Sequence, residues 1–452
     1  KPGRRRTGPE SELIVPLRLL QVVLEHFFPD FNEHLDALQD PRDPERITYS
    51  MRHLVWTGLL MLMCGMRSRL QLLSEGVRPG FHANLLALTG TDEAAAAHPG
   101  TLNYLAENMR PETLENLNAD LARRLLRMRC LDRFRLNSEW LVAVDATELR
   151  TYSRRHCEHC LTRPLANGTT QYFHAVLEAR LILANGMTLY LTSVPIQNPR
   201  GKYDKQDCEM KAFPRLADKL KKLFPRLPVC LLGDSLYGCE PVFRICRQKR
   251  WSYIVVFKKG RTASLWEEAR GKCRRRPHNV KTAECSDGTV QHFSWADYLP
   301  HGKEITHAVF CNENCADGSE KQWAWVTDHR PDHNNVQTLT NKGGRQRWKI
   351  ENEGFNTLKN GETGLKHDYG SLGNAWYNYY LLAQVALLLT QLVWCGDTVR
   401  KVTGQVCKTT KSLFRTIRNM CARFRESLQT DRLADVNDSI NPAAIQIRFD
   451  TS

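Results

Sequence analysis

The chain has 452 residues, and its 64 Lys and Arg against 49 Asp and Glu give a formal net charge of +15. A chain of this length exceeds one average domain, so a central catalytic body with attached pieces is the expected organisation. The positive balance favours a polyanionic partner, and a merely basic soluble protein is the plainer alternative.

The sequence shows neither a secretory signal nor a transmembrane segment. Its start is basic and rich in Pro and Gly, with no apolar stretch directly behind it. The most apolar window, residues 379–394, is shorter than the roughly 20 residues that span a bilayer and contains Gln384 and Gln391, which predicts a buried core helix. Fifteen Cys without a signal peptide indicate reduced thiols or metal ligands. We therefore expect a cytoplasmic protein.

The first region, residues 12–136, is predicted to be helical and follows a flexible basic arm over residues 1–11. Apolar residues recur at helical spacing over 13–28, 51–73, 101–109 and 111–128. The stretch 80–99, with its small residues and a loop around Gly90, is predicted to be a poorly packed connection.

From residue 139 the apolar period changes from helix to strand. Strands are predicted over 141–145, 171–183 and 187–196, and the last two are joined by an Asn-Gly turn at 185–186, which accepts positive φ angles. A helix over 207–224, a strand over 228–233, a helix over 240–249 and a strand over 251–257 follow. Three strands, helix, strand, helix, strand is the order of a ribonuclease-H-like fold, an α/β fold with a mixed sheet flanked by helices. In that fold the first and fourth strands are neighbours.

Residues 137–257 are accordingly predicted to be the first part of a catalytic core. Residues 258–335 are predicted to be a β-rich insertion with strands over 288–293, 304–310 and 322–327. The core resumes over 336–396, with a helix over 341–360 and an apolar helix over 375–394 that can pack behind the sheet. Residues 397–452 are predicted to be a basic helical tail.

Three acidic residues suit a metal-dependent nuclease or strand-transfer enzyme. Asp145 ends the apolar run 141–144, Asp234 ends the strand 229–233, and Glu351 lies in the helix predicted before residue 360. Transfer of a phosphodiester uses two divalent cations about 4 Å apart, and Mg²⁺ and Mn²⁺ prefer oxygen ligands. Asp145 would bridge both ions, and Asp234 and Glu351 would each hold one. Any one of them alone is more typical of a structural residue, but their joint placement favours a site.

Three sequence blocks around these residues resemble a known family. They are VAVDATEL at 142–149, LLGDSLYG at 231–238 and RWKIENEGFNTLK at 347–359. Together they resemble the DDE transposases of bacterial insertion sequences, the cut-and-paste group with a β-rich insertion before the last acidic residue. The resemblance covers residues 139–394. It implies metal-dependent cleavage at transposon ends and transfer of the freed 3′-OH to target DNA, by a homodimer or larger synaptic complex at the bacterial nucleoid, with the N-terminal helical region binding end DNA.

The last block departs from the family pattern at two positions. The family commonly has Tyr three residues before the Arg and Lys seven after the Glu, where this chain has Gly344 and Leu358. Lys359 follows one position later and is kept as a DNA-binding candidate. Arg347, four residues before Glu351, matches, so the family's phosphate-gripping role is carried over to it.

Glu353 is the rival for the third carboxylate, because it lies six residues before Lys359. Glu351 is favoured, since Arg347, Glu351 and Phe355 share one helix face at i, i+4 spacing.

Basic and aromatic side chains of the insertion and the tail suit DNA contact. The candidates for phosphate contact are Lys272, Arg274, Arg275 and Arg276 of the insertion and Arg415 and Arg418 of the tail. Trp295 is a candidate for stacking on a base drawn from the duplex, as an insertion-domain Trp does in related transposases that form hairpin ends. Trp323 and Trp325 are better interpreted as core residues of a short strand.

The segment HCEHC at 156–160 has the Cys-x-x-Cys spacing of half a zinc site, formed by Cys157 and Cys160. His174 and Cys208 are further candidate ligands. A structural Zn²⁺ that holds the long connection after the first strand is one interpretation, and reduced thiols without a metal are the other.

The sequence thus predicts a DNA transposase that uses Mg²⁺ or Mn²⁺. A stand-alone metal-dependent nuclease of the same fold, and a transposase-derived DNA-binding regulator with an idle active site, are the alternatives. The three acidic residues argue against the regulator.

Overall fold

The computed structural model describes residues 16–199, 206–361, 363–402, 409–435 and 445–448. The chain forms two compact units. The helical unit comprises Lys1–Cys130 and Asn356–Ser452, and the sheet unit comprises Leu131–Phe355. The basic arm predicted over residues 1–11 lies outside the described residues.

The α-helices of the described residues follow the chain in this order: α1 (Pro16–Phe27), α2 (Phe31–Asp36), α3 (Met51–Met63), α4 (Arg69–Gly76), α5 (Pro79–Thr89), α6 (Pro99–Asn108), α7 (Pro111–Arg127), α8 (Glu209–Leu223), α9 (Glu240–Lys249), α10 (Ala263–Arg275), α11 (Val336–Thr338), α12 (Thr357–Asn360), α13 (Ala375–Cys395), α14 (Thr398–Val402), α15 (Thr410–Phe414) and α16 (Ile417–Thr430). Short 3-10 helices cover Pro44–Arg46, Asp132–Phe134, Ser235–Tyr237, Gly344–Trp348 and Leu433–Asp435.

Helix α13 is the centre of the helical unit. In the described residues it is the one helix long and apolar enough to cross a membrane, and 94% of its apolar window is buried. Its neighbours are α1, α3, α6 and α7, and the Nδ2 of Asn118 on α7 donates to the carbonyl of Leu381 at 3.0 Å. The prediction of a buried core helix is confirmed, and α13 belongs to the helical unit rather than to the sheet unit in which the sequence analysis placed it.

The predicted loose connection over residues 80–99 contains a well-formed helix instead. Pro79 takes the first turn of α5, where its missing N–H costs nothing, and Gly90 ends the helix in the left-handed conformation at φ 66°. Phe81, Leu85 and Leu88 are buried. The small residues that suggested a loop lie after this helix.

The strands of the sheet unit are β1 (Trp140–Tyr152), β2 (Leu161–Pro164), β3 (Thr170–Ile182), β4 (Thr188–Ile196), β5 (Val229–Gly233), β6 (Ser252–Val256), β7 (Val280–Glu284), β8 (Val290–His301), β9 (Glu304–Asn314) and β10 (Glu320–Thr327). They form one mixed sheet of ten strands in the order β2-β3-β1-β5-β6-β10-β9-β8-β7, with β4 paired to β3. Strands β1, β5 and β6 are parallel, whereas β3 and β4 run antiparallel to their neighbours. The mixed α/β class and the pairing of the first predicted strand with the fourth are confirmed.

The β3–β4 hairpin has the predicted Asn-Gly turn, with Gly186 at φ 84°. Strand β1, by contrast, is much longer than the predicted 141–145, because β3 continues to pair with it as far as Tyr152 opposite Tyr172. The two strands form a long antiparallel ribbon.

Residues 258–335 do not form a separate β-rich domain. Strand β10 pairs with β6, so β7 to β10 extend the same sheet, and buried Trp295 and Trp325 belong to the same apolar core as Leu141 and Leu232. Helix α10, within the stretch predicted to be β-rich, packs on β8.

The segment predicted as a continuous helix over 341–360 is helical but irregular. Two π-helices, Leu339–Gly343 and Ile350–Asn356, flank the 3-10 helix Gly344–Trp348. This segment packs closely on the sheet: a Cβ at Gly343 would lie 2.6 Å from the Cδ1 of Ile254, and one at Gly344 would overlap the Trp325 indole. Such π segments often occur where a helix carries functional residues.

Candidate active site

The pairing of β1 and β5 brings Asp145 and Asp234 together. Ala143 lies opposite Leu232 in this parallel pair, and both Asp residues follow two positions later on strands about 4.8 Å apart. Asp234 follows β5 directly, and its Oδ1 accepts from the backbone N–H of Leu236 at 2.8 Å. Asp145, however, lies inside β1 rather than at its end, because the ribbon continues past it.

Arg347 joins Asp145 to Glu351. Its Nη1 donates to the Oδ2 of Asp145 at 3.4 Å and to the Oε1 of Glu351 at 3.0 Å. The Asp145 side chain is 18% exposed and that of Glu351 53% exposed, so this pair of carboxylates lies at the edge of the core and opens to solvent.

Glu353 lies in another environment, although it is only two residues from Glu351. A Cβ at Gly186, in the β3–β4 turn, would be 3.8 Å from the Oε2 of Glu353. Lys349 accompanies it there, donating through Nζ to the carbonyls of Leu183 and Ala184 at 3.2 and 3.0 Å. The structure thus joins Glu351, and not Glu353, to Asp145 through Arg347.

Glu178, opposite Asp145 on β3, is a further carboxylate at this part of the sheet. It is fully buried and forms an ion pair with Arg180, which also donates to the Oγ1 of Thr188 at 3.0 Å. Because its charge is neutralised inside the core, Glu178 has a structural role.

The pKa of Asp145 is raised to about 7. Burial, which disfavours the charged form, is the largest cause, and it outweighs the guanidinium of Arg347. The negative charges of Glu351 and Glu209 raise the pKa further. The site therefore concentrates more negative charge than one arginine balances.

Glu209 is a member of this cluster that the sequence analysis missed. It begins α8, its Oε2 accepts a 3.1 Å hydrogen bond from the Oη of buried Tyr237, and burial together with the Asp234 charge raises its pKa. Tyr237 belongs to the LLGDSLYG block, which was the one available sequence signal, but nothing in the local pattern pairs it with a residue 28 positions earlier.

These donors fit divalent cations such as Mg²⁺ and Mn²⁺. They are carboxylate oxygens, which hard cations prefer, and their mutual repulsion is what a bound cation relieves. Asp145, Asp234 and Glu351 are nevertheless more widely spaced than a closed metal site. In the described residues, two other groups have all their ligand atoms within 4.8 Å of one another.

The first of those groups is Cys157, Cys160 and His174. The proposed zinc ligands thus converge except for Cys208, whose exposed thiol precedes α8 and is not part of the group. The structure therefore does not bring the predicted ligand Cys208 into the group, because its thiol is exposed and does not converge with the other three ligand atoms.

The second group is Glu139, Cys230 and His329, and an ion pair explains it. The Nε2 of His329 is 3.1 Å from the Oε2 of Glu139, which also accepts from Ser252 at 2.8 Å. Burial lowers the pKa of His329, but the bond to Glu139 and the charges of Asp328 and Glu139 raise it overall.

The predicted DNA-stacking role of Trp295 is wrong. Its side chain is 3% exposed and packs against His333 with ring centroids 5.0 Å apart. Trp323 and Trp348 are the exposed tryptophans near this part of the fold, at 43% and 46%. Trp348 directly follows Arg347 and is exposed to solvent, whereas Ile350 in the same segment is buried.

The predicted phosphate-binding residues differ in their surroundings. Lys272 donates to the carbonyl of Tyr298 at 2.6 Å, and Arg276 forms an ion pair with Asp297, so both are engaged within the sheet unit. Arg274 and Arg275 are exposed on the last turn of α10.

The remaining predicted DNA-binding residues belong to the helical unit. Arg415 separates α15 from α16 at φ 66°, so the predicted helical tail is interrupted there, and Arg418 is exposed on α16. Lys359 lies on α12.

Comparison with known proteins identifies no family for this chain. No protein-family model matches the chain, and no curated protein matches it. The class of the protein is therefore argued from the sheet and the acidic cluster.

Proposed function

We propose that this chain is a DNA transposase with a ribonuclease-H-like catalytic sheet, in which Asp145, Asp234 and Glu351 form a DDE site. One observation carries the proposal: β1–β5 pairing sets Asp145 beside Asp234, and Arg347 joins Asp145 to Glu351. Double-stranded DNA at transposon ends and in the target is the substrate. The working form is a homodimer or larger synaptic complex.

The strand arrangement supports the proposed fold. The order β4-β3-β1-β5-β6, with β1, β5 and β6 parallel, agrees with the order expected from three strands, helix, strand, helix, strand. In this arrangement the acidic residues project from the central pair of strands, next to the helical segment that contains Glu351. The sheet extension β7 to β10 takes the place of the β-rich insertion.

Asp145, Asp234 and Glu351 would hold two Mg²⁺ or Mn²⁺ ions, and Glu209 adds negative charge behind them. When bound, such ions activate the attacking oxygen and stabilise the leaving oxygen of the phosphodiester. The raised pKa of Asp145 supports this assignment, because it reflects a buried carboxyl beside other negative charges, which a bound cation would neutralise.

Arg347 has a second task in this proposal. Its guanidinium lies between two carboxylates, and phosphate is a bidentate partner that suits the same planar group. A DNA phosphate that enters the site would take over this contact. The exchange frees carboxylate oxygens as the substrate arrives and positions the scissile bond near Asp145.

A strand-cleavage assay with matched variants tests the proposal. The substrate is a plasmid that carries the DNA flanking the gene, where inverted repeats are expected. Asp145→Asn and Glu351→Gln should each reduce cleavage by about 100-fold or more, because each removes a metal ligand. Glu353→Gln, two residues away in the same helical segment, is the matched control and should retain cleavage.

DNA binding separates a lost metal ligand from a lost fold. Asp145→Asn should bind the same DNA within about twofold of the unmodified chain, since phosphate contacts dominate affinity. Full cleavage by Asp145→Asn, or loss of cleavage in Glu353→Gln alone, would contradict the assignment.

The stand-alone nuclease is distinguished by a joining assay. A pre-cleaved end with a free 3′-OH is incubated with a second plasmid and Mg²⁺. Transfer of the end into the plasmid is the expected result, whereas cleavage without joining would favour the nuclease. Binding without either reaction would favour the regulator.

A further inference from the structure

A second cluster of side chains lies at the far end of the β1–β3 ribbon. The Sγ atoms of Cys157 and Cys160 are 3.7 Å apart, and the Nε2 of His174 lies 3.6 Å from the first and 3.7 Å from the second. Cys157 and Cys160 lie in the connection from β1 to β2, and His174 lies on β3 opposite Arg150.

These separations agree with three corners of a zinc tetrahedron. With Zn–S about 2.3 Å and Zn–N about 2.0–2.1 Å, tetrahedral angles place two sulfurs about 3.8 Å apart and a sulfur and a nitrogen about 3.5 Å apart. A disulfide would require the two sulfurs to be about 2.05 Å apart. The two cysteines are therefore arranged as thiols around a common point.

We propose that this chain binds one structural Zn²⁺ through the Sγ atoms of Cys157 and Cys160 and the Nε2 of His174. The fourth ligand is a nitrogen or oxygen donor. Thiolate and imidazole donors select zinc over the hard ions that suit the acidic cluster, so the two sites take different metals. The proposal does not depend on DNA chemistry at Asp145.

The surroundings of the two cysteines support a metal-binding turn. The backbone N–H of Cys157 donates to the Sγ of Cys160 at 3.4 Å, and the N–H of Cys160 donates to the carbonyl of Cys157 at 3.4 Å. Asn198 holds this turn from outside, since its Nδ2 donates to the Cys160 carbonyl and its own carbonyl lies 2.9 Å from the Nδ1 of His159. The Cys160 sulfur is thus held by a backbone N–H.

The ion would cross-link two parts of the ribbon that strand pairing leaves unconnected. Between Tyr152, the last residue of β1, and Leu161, the first of β2, the connection has no strand pairing. Zinc would attach this connection to β3 through His174. The far end of the ribbon would then be held by the ion as well as by strand pairing.

Metal analysis of the purified full chain is the first test. We expect about one zinc per chain after dialysis against a weak chelator, because a structural site of this type contributes folding energy. Cys157→Ser, Cys160→Ser and His174→Ala should lose zinc, with affinity falling by more than the roughly 10–100-fold seen when only an outer-shell partner is removed. Cys208→Ser is the matched control and should keep the ion.

X-ray absorption of the unmodified chain tests the ligand set without any variant, so a variant that fails to fold does not decide the outcome. We expect two sulfurs at about 2.3 Å and two nitrogen or oxygen ligands at about 2.0–2.1 Å from zinc. Absence of zinc from the purified chain, or a shell with three sulfurs that includes Cys208, would overturn the proposal. Neither result bears on DNA cleavage, so this test and the test of the active site fail independently.

Discussion

Asp145 has a carboxyl group whose surroundings favour the protonated form. Burial and two neighbouring carboxylates together outweigh one guanidinium, which leaves its pKa about 7. An ordinary aspartate has a pKa of about 3.9. At a pH between these two values, Asp145 is therefore more protonated in the folded chain than in the unfolded chain. Such a buried, uncompensated carboxyl lowers stability at neutral pH, and in the proposed function a bound cation would supply the missing positive charge.

This charge arrangement makes stability depend on pH in a defined direction. Between about pH 4 and pH 7 the folded state binds more protons than the unfolded state, so Asp145 lowers the free energy of unfolding as pH rises through that window. Asp145→Asn removes the effect. At pH 8 without divalent metal, the variant should be about 1–3 kcal/mol more stable than the unmodified chain, and near pH 4 the difference should vanish.

Urea denaturation at a series of pH values measures this difference. Asp218→Asn is the control, because Asp218 is a 72% exposed surface residue paired with Lys249 and should change stability little at any pH. Added Mg²⁺ should stabilise the unmodified chain and not Asp145→Asn. An Asp145→Asn variant that is less stable at pH 8 than at pH 4, relative to the unmodified chain, would contradict the assigned pKa.

The sequence could locate the acidic residues but not everything around them. Asp145, Asp234 and Glu351 each lie in a distinctive local block, so a motif finds them. Glu209 does not, because its role arises from Tyr237 and Asp234, which reach it through the fold. Cys208 was predicted to be a zinc ligand because it is near the other ligands in the sequence. The fold does not place it near them in space.

At the scale of elements, local patterns predicted the type of most strands and helices but not their length. Apolar alternation ends at Asp145, so the sequence predicted that β1 ends there. The strand continues because β3 provides pairing partners for residues up to Tyr152, and that partnership is non-local. Helix α5 was missed because the loop around Gly90 and the small residues after it were taken to describe the whole stretch 80–99, although they follow the helix.

The irregular segment over residues 339–356 is held against the sheet by glycines, which gives a test at this scale. Gly344→Ala would push a methyl group into the Trp325 indole, so the 3-10 helix that contains Arg347 must move. We expect a loss of about 1–3 kcal/mol in the free energy of unfolding, as for other overpacked cores. Cleavage should fall more than stability explains, because Arg347 and Glu351 move with the segment.

Gly260→Ala provides the matched control. Gly260 has no atom within 4 Å of an added Cβ, so the same substitution there meets open space. The two variants are compared by urea denaturation and by the cleavage assay at a temperature where both are folded. Normal cleavage and stability in Gly344→Ala would show that the segment does not need its close contact with Trp325.

At the scale of the whole molecule, the chain leaves the helical unit at Cys130 and returns to it at Asn356. Helices from both ends of the sequence therefore share one core, as α16 does with α1 and α5. The sequence predicted an N-terminal helical region and a separate C-terminal tail, since helical periodicity shows that a segment has an apolar face but not which helix covers it.

The net charge of +15 is a property of the entire chain, and it predicts how DNA affinity responds to salt. A protein that neutralises about 6–10 phosphates loses about 10³–10⁵ in affinity between roughly 50 and 200 mM salt, because each contact releases condensed counterions. We expect a slope in this range when the binding constant for duplex DNA is plotted against salt on logarithmic axes. Fluorescence anisotropy with a labelled duplex measures it, using Asp145→Asn to prevent cleavage.

Arg274 and Arg275 test whether the end of α10 is part of the surface that contacts DNA phosphates. Both are exposed at the end of α10, and if they contact phosphates, replacing both by Ala should reduce the slope by about 2. Lys249→Ala is the control, since the Lys249 ammonium group is already paired with Asp218. An unchanged slope in the Arg274/Arg275 variant would remove α10 from the DNA surface, whereas a slope near zero in the parent chain would contradict a nucleic-acid partner altogether.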